Sequence, residues 1–252
     1  MIADGLANAI INLILFTAMI SFFKYLQSTR EKDYTPSAWI SVKKPDIKLF
    51  FLGVILALFY KLTVAFIETI SGTMIYTIDS SGIIDSLIAT LVSSFGFLGV
   101  ALFEEGFFRG YLMQVILRKF QIFLAIVIQA VIFGLIHYFN YLGNPHIWIE
   151  IADAVLIGLI FGLIVIKTKS LMLVVGAHLM YNVAESIIFI DSHEFNRAIY
   201  FHYPNYATLI TSGSLLYLKS LELIILSAIF VLLVVLFRKE VFQKKSYSDI
   251  SC

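Results

Sequence analysis

An all-α bundle that crosses a lipid bilayer about seven times is the fold this sequence predicts. Three observations carry that expectation. Of 252 residues, 60% are hydrophobic and only 14% charged, against roughly a quarter charged in an ordinary soluble domain. The mean hydropathy is +0.92. The apolar residues also fall in runs of ~20 or more, the length a helix needs to cross hydrocarbon.

The runs follow in order. Ile2 to Leu26 is expected to be a retained first span. Asp4 stands where a signal peptide would be positive, no clear small-residue cleavage site follows, and Lys24 and Arg30 lie at the far end. Residues 27–48 are polar and basic, contain Pro36 and Pro45, and form the longest loop. Further apolar runs cover about 49–70, 84–117, 120–139, 147–166, 171–190 and 215–237. The run 84–117 is too long for one straight span and is expected to tilt or lie along the interface after Gly110. The chain 1–252 thus reads as a single integral membrane domain.

Basic residues orient it. Lys24, Arg30, Lys32, Lys43, Lys44 and Lys48 flank the first loop; Arg118 and Lys119, Lys167 and Lys169, then Arg238, Lys239, Lys244 and Lys245 fall on the same side if alternate loops are followed. Positive-inside bias therefore predicts an N-terminus outside and a C-terminus in the cytoplasm. Tyr138, Phe139, Tyr141 and Trp148, and later Tyr200, Phe201, Tyr203 and Tyr206, read as interfacial aromatic belts. A net charge of +1 with scattered bases argues against nucleic acid as a partner. The single cysteine, Cys252, excludes an intramolecular disulfide and a cysteine metal cage, and as the final residue it is not a prenylation signal.

Polar side chains inside spans are informative, because each charge near the bilayer centre costs at least ~2.5 to 3.5 kcal/mol. The densest group is ALFEEGFFRGYLM, Ala101 to Met113. On a helix, Glu105 and Arg109 stand at i and i+4 in the favourable order for an ion pair. Glu104 points about 100° away from that pair. Lys61 and Glu68 lie seven residues apart on one face of the second span, where Lys61 either pairs with another helix or neutralises the acidic cluster. Ala154, Gly158 and Gly162 repeat at four-residue spacing, as do Gly106 and Gly110, and mark faces for close helix packing. Glu150 and Asp153, near a span end, are expected to be wetted by the interface. His146, His193 and His202 fall in outer loops as solvated side chains. His137 and His178 do not: each lies in an apolar run, His137 one turn after Phe133 and His178 one turn before Asn182.

In chain order these residues spell E-E-x-x-x-R (Glu104, Glu105, Arg109), F-x-x-x-H (Phe133, His137) and H-x-x-x-N (His178, Asn182). The ordered set, on separate spans, strongly resembles the CAAX-protease and bacteriocin-processing (CPBP, or Abi) family of intramembrane proteases, whose eukaryotic relatives trim prenylated CAAX proteins. The resemblance covers roughly Ala89 to Ser186. It implies a catalytic cavity inside the membrane, a membrane-associated peptide or protein tail as substrate, and Glu104 as the residue that activates water. His137 would assist it, and His178 with Asn182 would bind a metal or stabilise the oxyanion. Zinc is compatible with Glu104, His137 and His178, since a catalytic zinc takes three protein ligands, although no H-E-x-x-H occurs in the chain. Hydrolysis is equally feasible without a metal, given a carboxylate base and donors aimed at the oxyanion. Two other functions remain open: a proton-coupled transporter using Glu104, Glu105, Lys61 and the histidines as a relay, and a non-catalytic immunity or scaffold protein binding a membrane peptide. Against the transporter, no paired interrupted helices recur in two similar halves.

Overall fold

The computed structural model describes residues 44–71, 75–78, 83–144, 146–188, 199–202 and 214–242, with scattered helical positions at 10, 11, 14, 17, 18, 21 and 25. Most of the expected first span and of the basic loop therefore lie outside the described residues, as do His193, Tyr203, Tyr206 and the tail from residue 243.

The architecture is helical. It comprises α1 (Lys44–Ile70), α2 (Ile83–Glu105), a π-helical turn (Gly106–Leu112), α3 (Met113–Leu117), α4 (Ile122–Ile136), a 3-10 turn (His137–Tyr141), α5 (Ile147–Thr168), α6 (Met172–Ile188), α7 (Ser214–Leu236) and α8 (Arg238–Phe242). Among the described residues, four helical stretches are long and apolar enough to cross a membrane: Asp46–Ile70, Thr90–Leu117, Ile122–Tyr141 and Ile147–Thr168. They coincide with four of the expected runs. Hydropathy did not signal a short antiparallel ribbon, β1 (Ile75–Ile78) with β2 (Ile199–His202), in which Ile75 opposes His202. Tyr200, Phe201 and His202, expected in a loop, belong to it. A second difference concerns Gly110. The chain stays helical on both sides of it, to Leu117, and a wider π turn occupies Gly106–Leu112.

The chain divides into two compact units, one of Met1–Tyr34, Val42–Glu104 and Met172–Ser214, the other of Thr35–Ser41, Glu105–Leu171 and Leu215–Cys252. In the first, α1 lies directly on α6. A side chain at Gly53 would fall onto the Leu173 carbonyl, and one at Gly176 onto that of Phe50. The two backbones touch, which only glycine permits. On α1 the buried stripe is Ala57, Lys61, Val64, Ala65 and Glu68, whereas Phe51, Ile55, Phe59, Leu62 and Phe66 are exposed. Large apolar side chains facing outward along a whole helix suit lipid and not water.

In the second unit, α4 and α5 pack antiparallel on the small-residue face expected from Ala154, Gly158 and Gly162. A Cβ on Gly158 would sit 3.0 Å from Ala130, and one on Gly162 2.9 Å from the Gln129 amide nitrogen. That amide, fully buried, donates to the carbonyls of Gly158 at 2.8 Å and Ile126 at 3.1 Å. At one end of this unit Phe123 stacks on Phe242 at 5.4 Å, and Lys167 lies over Phe237 at 5.2 Å. The basic joints after α3 and α5 and before α8 thus share an end, where Arg118, Lys119, Lys167 and Arg238 belong. At the α4–α5 turn, Tyr138 packs on Phe139 and Trp148, both of which are exposed. Asp153 requires a correction. It is buried, 6% exposed, and not wetted, because it faces inward on the packed side of α5 beside Ala154.

Candidate active site

In the first unit, α2 delivers Glu104 from its last turn and α6 delivers His178. The Glu104 Oε2 and His178 Nε2 atoms stand 3.9 Å apart, the imidazole 11% and the carboxylate side chain 22% exposed. This separation exceeds a hydrogen bond, so the acid and the imidazole face each other without sharing a proton directly. Asn182 follows His178 by one turn of α6 and is half-buried on the same stripe. Glu104 and the third motif are thereby brought together.

The second unit holds the remaining motif residues. Glu105 Oε1 accepts from Arg109 Nη1 at 3.0 Å, both side chains fully buried. The expected pair exists, although Arg109 sits in the π turn and not in a regular α-helix. Such turns often occur at functional sites. The Arg109 guanidinium lies 4.4 Å from the centre of the Phe133 ring and 5.4 Å from that of Phe161. Phe133 also meets the His137 ring at 4.5 Å and Phe108 edge-on at 5.0 Å. The motif phenylalanine is therefore a plate with the arginine and the histidine packed against it, a role that the sequence spacing alone did not assign.

His137 is half-buried where α4 gives way to the 3-10 turn, and its Nδ1 lies 2.8 Å from the Phe133 carbonyl oxygen. A carbonyl can only accept, so Nδ1 carries the proton in this contact. In the neutral ring, Nε2 is then the basic nitrogen.

Among the described residues, no three His, Cys, Asp or Glu side chains converge as a metal cage.

Residues 86–184 match the family described as type II CAAX prenyl endopeptidase Rce1-like. The matched segment contains all three motifs, as the resemblance in the sequence implied, and the chain is an integral membrane protein. No curated protein and no solved structure matches the chain.

Three polar residues beside the Rce1-like motifs went unnoticed in the sequence. Gln129 lies in the middle of the apolar run of α4, and its position inside a span was the available signal. Tyr181 lies within the third motif on α6, and Glu185 follows it. They meet Lys61 of α1, whose Nζ reaches Glu185 Oε2 at 2.6 Å and stands 3.9 Å from the centre of the Tyr181 ring. Of the two expectations for Lys61, pairing with another helix is the one observed.

Proposed function

We propose that the protein is an intramembrane endopeptidase that hydrolyses a peptide bond in a membrane-associated peptide or protein tail, a CAAX-type tail being the substrate class that the Rce1-like family suggests. The observation that carries this reading is the Glu104 carboxylate facing the His178 imidazole at 3.9 Å within the matched segment. Both groups are within reach of one water oxygen at that spacing.

Glu104 takes a proton from this water as its oxygen attacks the scissile carbonyl. The carbonyl oxygen gains negative charge, and His178 with the Asn182 carboxamide donate hydrogen bonds to it. Protonated Glu104 then gives its proton to the departing nitrogen as the C–N bond breaks. His137 assists as a second base, its Nε2 kept basic by the Nδ1 contact with Phe133. The Glu105–Arg109 pair, sealed by Phe133, holds the π turn in place. In a zinc form of the mechanism, Glu104, His137 and His178 would be the ligands, and the metal would polarise the carbonyl and acidify water.

The proposal includes a bundle of seven spans with the catalytic cavity within the membrane, and a bacterial plasma-membrane location with the N-terminus outside and the C-terminus in the cytoplasm. The basic joints gathered at one end of the second unit support this orientation.

Comparing the membrane and secreted peptides of cells that make the wild type or Glu104→Ala tests the function. An uncleaved precursor that accumulates only in the variant is expected. Identical peptide populations, with both proteins inserted to the same level, would remove the hydrolase reading in favour of a carrier or scaffold.

A further inference from the structure

Lys61 is a cation in the apolar middle of α1, 1% exposed. An ammonium in such a place needs partners, and α6 supplies two of them. On α6 its Nζ meets Glu185 Oε2 at 2.6 Å and the face of Tyr181 at 3.9 Å, while Tyr60, its neighbour on α1, stacks on Tyr181 at 6.4 Å. Along α6, His178, Tyr181, Asn182 and Glu185 stand at i, i+3, i+4 and i+7. They form a single stripe.

Lys61 therefore grips the same stripe that carries the imidazole and the carboxamide of the candidate site. Elsewhere α1 and α6 pack closely along their length, with their backbones in contact at Gly53 and Gly176, and Lys61 with Glu185 adds a directional contact between polar groups. Rotation matters, because turning a helix by about 10° moves a side-chain tip about 1 Å at a radius of 5 to 6 Å. Misplacement by that amount can cost about 10²-fold in rate.

We propose that Lys61 and Glu185 are positioning residues, an ion pair that sets the rotation of α6 and so aims His178 at Glu104 and Asn182 at the reacting carbonyl. Lys61 lies well before the matched residues 86–184, and Glu185 directly after them. The kinetic consequence of the pair rests on the hydrolase reading. Its structural consequence does not.

The test uses the full-length protein in lipid nanodiscs with an internally quenched farnesylated CAAX peptide. Lys61→Met and Glu185→Gln each lower kcat by about 10²-fold with KM within about twofold. Lys61→Arg retains most of kcat, and the charge swap Lys61→Glu with Glu185→Lys recovers at least about tenfold over the single variants. In parallel, the ¹⁵N-histidine resonances of His178, assigned with His178→Gln, shift in each neutralised variant and return in the arginine and swapped proteins. If the wild type does not cleave the probe, the hydrolase reading fails on that substrate and the resonances decide the positioning role alone. If the neutralised variants do not fold, recovery of folding and of the His178 signals in the swap upholds the pair. Unmoved resonances in Lys61→Met overturn it, as does a swap that recovers nothing.

Discussion

At the scale of single residues, the two adjacent glutamates have different surroundings, and substitution separates them. Glu105 and Arg109 are a fully buried pair, so Glu105→Ala or Arg109→Ala strands a charge and costs ~3 to 5 kcal/mol. Glu104→Gln keeps the shape of a side chain that is 22% exposed and is expected to melt close to wild type while losing hydrolysis. Melting in detergent compares the three directly, and equal melting points would refute the structural pair. Asn182 offers a sharper distinction, since a carboxamide cannot relay a proton by titrating. Asn182→Ala is expected to insert and melt as wild type but to lose ~10² to 10³ in turnover, the usual effect of removing an oxyanion donor. Unchanged cleavage would reduce Asn182 to a packing or hydrogen-bonding role.

At the scale of elements, the pairing of α1 with α6 is the contact that the candidate site depends on most. Gly53 and Gly176 have no room for even one carbon. Gly53→Val or Gly176→Val must push the helices apart, with a cost of at least ~1 to 3 kcal/mol from overpacking. Phe59→Leu, on the exposed side of α1, serves as the control and is expected to be nearly neutral. A detergent denaturation series would read both, and a stable Gly53→Val protein would contradict the backbone contact. The π turn shows the same dependence on local geometry. Its wider backbone carries Arg109 between Phe133 and Phe161, where a flat, weakly hydrated guanidinium is well accommodated by aromatic faces.

At the scale of the whole molecule, the open chemical question is the metal. If Glu104, His137 and His178 hold zinc, purified protein is expected to contain about one equivalent, and chelator should abolish cleavage in a way that added zinc reverses. Metal-free protein that cleaves at full rate in chelator would leave the work to Glu104, His137, His178 and Asn182 alone. Elemental analysis of His178→Gln beside the wild type gives a readout that does not require activity, because loss of one ligand should empty the site. The outward-facing Phe, Leu and Ile side chains of α1 are the molecular counterpart of the hydropathy. They are exposed in the isolated chain because lipid is their intended surroundings.

The sequence by itself determined the membrane class, four of the helical spans and the positions of the three motifs. In lipid the backbone must satisfy its own hydrogen bonds, so long apolar runs become helices. Each polar residue inside them also stands out against a uniform background. The i, i+4 order of Glu105 and Arg109 foretold their ion pair for the same reason: one helix, one face. Tertiary structure decided which helix answers which. Nothing in the spacing of Lys61 could name Glu185, 124 positions away, or place the carboxylate of Glu104 before His178. The π turn, the burial of Asp153 and the plate made by Phe133 were equally illegible. They arise from packing between segments distant in the chain, and a one-dimensional pattern records which face of a helix is polar but not what lies against it.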